Sequence, residues 1–546
     1  MTSPTIPRSA PRPGVPAAAS RDSALRVAAI DIGSNSVRQI VADVSPDGTI
    51  RVVDEMKAAP RLGAGLTESN ELDDAAMERA IEAITRMHTL AGQIGATRIE
   101  AVATSAVRDA ANGAAFIQRL RAATGLRVRL LSGQQEARLS FRSALAHFEL
   151  GDGRAVVMDI GGGSLELALS ADGLVDTLES LPFGAIRMTE THLSKGSGRK
   201  QVKALRRAVR EGLRGQLPFR EWRGAQCIGS GGTFTNLAGM YLARQGIATA
   251  RTVHGTAIAR VDLEHLLEWL QDMPTEERMT VDGLNPARAD IIVAGLAVAA
   301  ETMARFESRE VVVSAYGIRE GLLLETARVL PAIVDPGVAR ERSVRELAER
   351  SHYEEPHARQ VQRLALQLFD ALGPRLGCEA GDRQILADAA LLHDIGYHIS
   401  FNKHHKHSYH LVLHADFLGM TPEEQVAIAN IARYHRGAPP KKKHRNFGPL
   451  DGAIRERIKR LAAILRVADG FDRGHVAVVK RVKARWLERA LRLTPIPTSA
   501  TRSLRLELWG ASRKSDLLER VAGVPVEIVA PDGQVIISPD DGPDGE

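Results

Sequence analysis

The sequence predicts an α/β fold built from two related halves, followed by a mostly α-helical domain and a small C-terminal β element. Three observations predict it. "VAAIDIGSNSVRQIVADVSPDG" near the start is written again as "VVMDIGGGSLELALSADG": an apolar run ending in Asp-Ile-Gly, a turn of small residues, a second apolar run, then Asp-Gly. Strand-like runs alternate with helix-period segments as far as about residue 330, the pattern of sheets layered with helices. After "LPAIVDPG", a linker by its two prolines and aspartate, the period is almost wholly helical to about residue 470.

The elements follow in order. Residues 1–24 are rich in Pro, Ala and Ser without the apolar core of a secretion signal, and read as a disordered tail. The first half, 25–150, opens with a buried, β-branched strand at 27–32. Two more, at 37–44 and 50–53, are joined by the turn residues Pro46-Asp47-Gly48. "SNELDDAAMERAIEAITRMHTLAGQIG" is a helix, with Leu72, Ala76, Ala80, Ile84, Met87 and Ala91 at helical spacing behind an acidic first turn. A strand at 99–104, a helix at about 114–123, a strand at 128–131 and a helix in "SGQQEARLSFRSALAHF" complete this half. The second half, 151–333, repeats the hairpin: a strand from Ala155, a glycine turn, a strand at 165–169, the Ala171-Asp172-Gly173 turn and a strand at 175–181. A basic helical segment at about 199–217, a third glycine loop in "CIGSGGTFTNLAGM" and "VVVSAYGIREGLLLETA" close it. The helical domain, 334–498, carries the histidine cluster "HHKHSYHLVLH". In 499–546, "RSLRLELWG" and "VPVEIVAPDG" alternate as short strands before an acidic, frayed end.

Composition narrows the class. With 546 residues the chain is too long for one ordinary domain, and 44% hydrophobic with 25% charged residues is a globular balance. There is no run of about twenty apolar residues, so no membrane span is expected. Two distant cysteines, Cys227 and Cys378, lack a metal spacing and point to a reducing, cytoplasmic home. A net charge of +6 permits an anionic ligand without naming one.

The glycine loops suit phosphate. Small residues let consecutive backbone N–H groups close around an anion. A carboxylate at the head of such a loop repels phosphate but holds a divalent cation or orients water. Asp31 with Gly33, Ser34, Asn35 and Ser36 forms one candidate clamp; Asp159 with Gly161, Gly162, Gly163 and Ser164 forms the other. Gly231, Gly232 and Thr233 form a third loop of the same kind. Taken alone, each is equally a tight turn with glycines at positive φ. Duplication favours a shared phosphate site between the halves.

The ordered motifs "AIDIGSNSVRQIVADV", "AVATSAVRDAAN", "LLSGQQEARLSF", "VVMDIGGGSLELAL", "FGAIRMTE" and "GSGGTFTNLAGM" resemble the exopolyphosphatase / guanosine pentaphosphate phosphohydrolase family over about residues 25–330. The resemblance implies duplicated halves of the actin-like ATPase (ribonuclease H-like) type, a Mg²⁺-dependent hydrolase (Mn²⁺ as substitute) and a homodimer. It implies that Glu136 activates the attacking water, and that Asp159 and Glu166 serve Mg²⁺ or that water. Arg38 and Arg108 match basic positions suited to phosphate oxygens. The sequence departs from the family at Gln135, where many relatives carry a second Glu, and at Leu165, where Thr is frequent. The resemblance implies inorganic polyphosphate or pppGpp as the substrate; a kinase of the same superfamily or a binding regulator with weak turnover are the competing readings. Glu136 favours water as the acceptor.

"ILADAALLHDIGYHIS" sets His393 beside Asp394 and resembles the HD phosphohydrolase superfamily. That resemblance implies a second divalent-metal site of His357, His393, Asp394 and Asp469, with His407, His410 and His435 as further lining. Lys441, Lys442 and Lys443 form a basic run suited to extending a polyanion track. Aromatics make up only 4% of the chain and none interleave with this run, which argues against nucleic acid.

Overall fold

The structure is a computed structural model of the 546-residue chain. It describes residues 24–46, 48–150, 153–216, 222–247, 252–329, 336–415, 417, 419–499 and 503–536. The expected N-terminal tail, most of the linker around 330–335 and the expected frayed end from 537 lie outside the described residues. The chain divides into two compact units, one of Met1–Ser132 and Ile318–Ala332, the other of Gly133–Gly317 and Ile333–Glu546.

In the first unit β1 (Leu25–Ile32), β2 (Val37–Val44), β3 (Ile50–Ala58), β4 (Arg98–Ala103) and β5 (Val128–Leu130) form a sheet of order β3-β2-β1-β4-β5. β1 runs antiparallel to β2 and parallel to β4. Alternate residues Ile30 and Ile32 of β1, with Ala101 and Ala103 of β4, face one core with Ala76, Ala80, Ile84 and Met87 of the helix Asp74–Gln93. The strand period of two meets the helical period there. Asp73 caps that helix, accepting the Ala76 N–H at 2.8 Å. The helix Ile318–Thr326 returns from far along the chain to pack on β1 and β2.

The second unit rewrites this topology. β6 (Arg154–Ile160), β7 (Leu165–Ala171), β8 (Leu174–Leu181), β9 (Gln226–Ser230), β10 (Ala257–Ala259) and β11 (Glu310–Val313) form a sheet of order β10-β11-β9-β6-β7-β8. β6 runs antiparallel to β7 and parallel to β9, as β1 does with β2 and β4. The two sheets are of the actin-like ATPase type that the family resemblance implies, and their shared topology bears out the duplication read from the sequence.

Alternation sorts β6 onto two faces. Val156, Met158 and Ile160 pack on the helices Arg199–Gln216, Gly231–Arg244 and Ile292–Arg305. The last of these is buried at every position from Ile292 to Met303, apolar except at Glu301 and Thr302, as a central core helix is. The opposite face, with Ala155, Val157 and Ala168, receives Ala137, Phe141 and Ala144 of the helix Gly133–Leu145.

The C-terminal region is helical through Pro336–Arg350, Glu355–Leu376, Asp382–Leu392, His404–Leu413, Pro422–Tyr434 and Gly452–Gly470. These share one core, which also takes Leu242 and Ile247 from the end of the Gly231–Arg244 helix. A small sheet of order β12-β13-β14-β15 follows, from β12 (Val479–Trp486), β13 (Leu491–Pro497), β14 (Val526–Val529) and β15 (Val535–Ile536). "VPVEIVAPDG" supplies β14 as expected, but "RSLRLELWG" is not a strand: Arg505–Arg513 is a helix. Leu504 and Leu508, four apart, are buried while Leu506 between them is 48% exposed. The i,i+4 face packs on Gly452–Gly470, and this tertiary contact overrides the alternation.

Candidate phosphate and metal sites

The hairpin register of the second unit fixes its site. Asp159 and Glu166 are direct cross-strand partners, so their side chains leave the same face of the sheet. That is the face covered by the helix Gly133–Leu145. On this helix Glu136 and Ser140 lie one turn apart on one side. The Ser140 hydroxyl donates to Asp159 Oδ2 at 2.9 Å, so the Glu136 side of the helix is turned toward the Asp159 carboxylate. Glu136, Asp159 and Glu166 are all buried. Ser180 on β8 donates to Glu166 Oε1 at 3.0 Å, and Gly133 leaves room for Ser180 at the start of the helix.

The turn between β6 and β7 is closed by the Gly161 N–H donating to the Ser164 carbonyl at 3.0 Å. Ala185 and Ile186 donate their N–H groups to the Gly161 and Gly162 carbonyls, and Arg187 Nε donates to the Gly163 carbonyl. The helix Ala185–His192 therefore engages the carbonyl side of the loop. The N–H groups of Gly162 and Gly163 are what the loop can offer an anion. A Cβ on Gly184 would collide with this turn.

The third loop meets the same carboxylate. Gly231 opens the helix Gly231–Arg244 at φ 87°, and a Cβ there would collide with Asp159 Oδ1. Ser230 donates to Asp159 Oδ2 at 3.3 Å. The Arg288 guanidinium, itself buried, lies against Gly232. Thr233 turns its side chain into the core toward Gly295, so it reaches an anion only through its backbone N–H.

The first unit holds the matching turn. The Gly33 N–H donates to the Ser36 carbonyl at 3.2 Å, and Asp31 faces Arg38 across the hairpin where Asp159 faces Glu166. The turn is pinned: the Ser34 and Ser105 hydroxyls lie 3.0 Å apart, and the Ser34 and Asn35 carbonyls accept from Gly63 and Arg61. Arg319, from the returning helix, acts on Asp31 electrostatically and bonds Glu55 at 3.1 Å. Arg108 donates to the Leu131 carbonyl at 2.8 Å and lies 3.4 Å from Asp109.

The helical region brings a second set together. His357 Nε2 lies 3.7 Å from both Asp394 Oδ2 and Asp469 Oδ1, and His393 Nε2 lies 3.4 Å from Asp394 Oδ2. His435 joins them, 3.3 Å from Asp394 Oδ1; so does His404, at 3.1 Å. Burial holds His393 and His435 below the usual imidazole range, the latter far below it. The surrounding imidazoles keep Asp394 well below the usual carboxylate range despite its burial. Of the other two candidates, His410 is exposed and stacks toward His414, and His407 is half-buried; neither belongs to the grouped set. Lys441, Lys442 and Lys443 are exposed on the loop whose His444 accepts a hydrogen bond from, or donates one to, Tyr434 at 2.9 Å.

Sequence profiles match the chain in two places: the Ppx/GppA phosphatase family over residues 40–329, and domain III of that family over residues 339–498. The chain belongs to the Ppx/GppA phosphatase family. Among solved structures it is similar to an exopolyphosphatase from Cytophaga hutchinsonii, at 25% identity and TM-score 0.52, covering 57% of this chain and 100% of that one. It is likewise similar to an exopolyphosphatase-like protein, at 27% identity and TM-score 0.52, covering 56% and 98%. A Ppx/GppA member from Aquifex aeolicus matches at 28% identity and TM-score 0.49, covering 56% and 98%. Among the described residues no helix is long and apolar enough to cross a membrane.

Within this Ppx/GppA phosphatase, sequence reasoning missed Ser140, Ser180, Ser230, Arg288, Arg319 and His404. The serines had one available signal: Ser140 lies four residues after Glu136 and so shares its helix face. The two arginines had none, because each reaches its loop from a distant segment.

Proposed function

We propose that this phosphatase is an exopolyphosphatase, releasing orthophosphate from the end of inorganic polyphosphate. One observation carries the reading. A buried glutamate, Glu136, stands one helical turn from the serine that binds Asp159, above a glycine turn whose N–H groups suit a phosphate.

In this reading Glu136 takes a proton from water as the water oxygen bonds to the terminal phosphorus. The bridging P–O bond breaks and the shortened chain leaves as its phosphate oxyanion. Gly162 and Gly163, with the N-terminus of the helix at Gly231–Gly232, receive the phosphoryl oxygens, and Arg288 neutralises their charge. In the first unit the turn from Gly33 to Ser36, with Arg38 and Arg108, is a second phosphate clamp.

The residues fit Mg²⁺: Asp159 and Glu166 are two buried carboxylates on one face, and Gly231 keeps space open beside Asp159 Oδ1. When bound, Mg²⁺ (or Mn²⁺) supplies positive charge to the phosphoryl oxygens. Exposed Lys441 to Lys443 extend the polyanion track, and the protein acts as a homodimer.

The test is phosphate release from long-chain polyphosphate, pppGpp and ATP. Polyphosphate should be the preferred substrate, and Glu136→Gln should lower its kcat by about 10²- to 10⁴-fold. Undiminished release by that variant removes Glu136 from the chemistry. Preference for pppGpp assigns the enzyme to the alarmone instead.

A further inference from the structure

Ser230, Asp159, Glu166 and Ser180 stand in one row of the second sheet. They are successive cross-strand partners on β9, β6, β7 and β8. Residues paired in this way leave the same face of a sheet. We infer that three serine hydroxyls, of Ser140, Ser180 and Ser230, sort the oxygens of Asp159 and Glu166, and so fix which oxygen of each meets a divalent cation. The inference rests on the reading above, in which these two carboxylates hold the cation.

Hydrogen bonding sets the direction of each contact. An ionised carboxylate only accepts, so each serine donates its one hydroxyl proton. Ser180 donates to Glu166 Oε1 at 3.0 Å. Ser140 reaches Asp159 Oδ2 at 2.9 Å from the helix Gly133–Leu145, which covers this face. Ser230 lies 3.3 Å from the same oxygen but 3.1 Å from the Tyr316 carbonyl. One proton is shared between two acceptors there, so Ser140 is the main donor to Oδ2. Ser140 is buried, which keeps water from competing for the contact.

The oxygens that the serines do not take are Asp159 Oδ1 and Glu166 Oε2. Each lies toward a loop glycine. A Cβ on Gly231 would collide with Asp159 Oδ1, and a Cβ on Gly161 would lie 4.0 Å from Glu166 Oε2. Each carboxylate therefore has a hydroxyl side and a glycine side, and the glycine sides belong to the loops that suit phosphate. Like charges directly opposite destabilise an antiparallel pair. The row sets two of them side by side with a hydroxyl at each end, a cost that a bound cation offsets. Hydrogen bonds to a ligating carboxylate hold its orientation and strengthen its hold on the metal.

The helix Gly133–Leu145 ties the set together. It carries Glu136 and Ser140 one turn apart, and it opens at Gly133, where a Cβ would collide with Ser180. One rigid element thus holds Ser140 on Asp159, makes room for Ser180 on Glu166 and presents the proposed base. Ser140 and Ser180 are positioning residues, acting through the carboxylates they bind.

The test reads Mn²⁺ binding to the full-length protein without substrate, from the electron paramagnetic resonance signal of the free ion. Binding that persists in Asp159→Asn/Glu166→Gln is subtracted, so that only ions held by these carboxylates count. Ser140→Ala and Ser180→Ala should each weaken that binding about 10- to 100-fold. Ser143→Ala is the control: Ser143 is buried on the same helix, and its hydroxyl has no hydrogen-bond partner among the described residues. It should bind Mn²⁺ as wild type does. Circular dichroism verifies that each variant is folded. Unchanged affinity in either Ser140→Ala or Ser180→Ala, or an equal loss in Ser143→Ala, overturns the sorting. Binding left intact by the double carboxylate variant overturns both the sorting and the cation assignment beneath it, whichever substrate the enzyme prefers.

Discussion

Gly231 shows how much one missing methylene decides. Its φ of 87° belongs to glycine, and a Cβ would occupy the space beside Asp159 Oδ1. Gly231→Ala should lower kcat on polyphosphate by at least about tenfold, since about 1.4 kcal/mol of lost transition-state stabilisation suffices. Steady-state kinetics checks this, with unfolding curves to separate any loss of fold. Glu301 makes a prediction about stability. Its side chain is 2% exposed and accepts from Arg206 at 2.6 Å and Arg210 at 2.9 Å. Burial alone would raise its pKa, but the hydrogen bonds from Arg210 and Arg206 hold it below the usual glutamate range. A depressed pKa contributes stability that is full above the unfolded value of about 4.3 and is lost as pH falls below it. Glu301→Gln should cost about 2 kcal/mol at pH 7, and the gap to wild type should narrow below about pH 4. Denaturant melts at pH 7 and pH 3.5 measure both.

The same logic scales to elements. Asp31, Asp159 and Glu166 were legible as loop-head and strand positions because hairpin alternation fixes which face a residue takes; Glu136 was legible only through the family motif it resembles. The helix Arg505–Arg513 was not, because leucines at 504, 506 and 508 satisfy both an alternating strand and an i,i+4 helix face. What resolves it is the crossing with Gly452–Gly470. There a Cβ on Gly470 would lie 2.7 Å from Ala511 Cα and 2.8 Å from the Gly510 carbonyl carbon. Gly470→Ala should therefore destabilise the protein by about 1–3 kcal/mol. Denaturant melts measure it, with Gly381→Ala, where a Cβ meets open space, as the control.

At the scale of the molecule, the long-chain substrate makes salt the informative variable. If Lys441, Lys442 and Lys443 extend the track, replacing all three with Ala should raise the KM for long polyphosphate but spare short chains. The salt slope of log KM should fall by about two, as expected for three lost phosphate contacts on a single-stranded polyanion. Titration from 50 to 200 mM salt measures it. Sedimentation at several protein concentrations checks the proposed homodimer, which should persist in the lysine variant.

The sequence by itself determined the duplication, the paired strand–turn–strand segments headed by Asp31 and Asp159, and the helical change after residue 334; the registers that set Asp31 against Arg38 and Asp159 against Glu166 came from the structure. The duplication, the segments and the helical change are written in local periods, which strands and helices read without knowing their neighbours. Through its HD resemblance the sequence also named four residues of the histidine–aspartate cluster and admitted His435. Only the tertiary structure admitted His404 and excluded His407 and His410 from that set, because all three share one short helix and its packing alone chooses the inward face. Only the tertiary structure brought Arg288 to Gly232 and Arg319 to Asp31, across gaps of 56 and 288 residues. Local pattern specifies which face a side chain takes; what meets that face is decided by burial across the whole core.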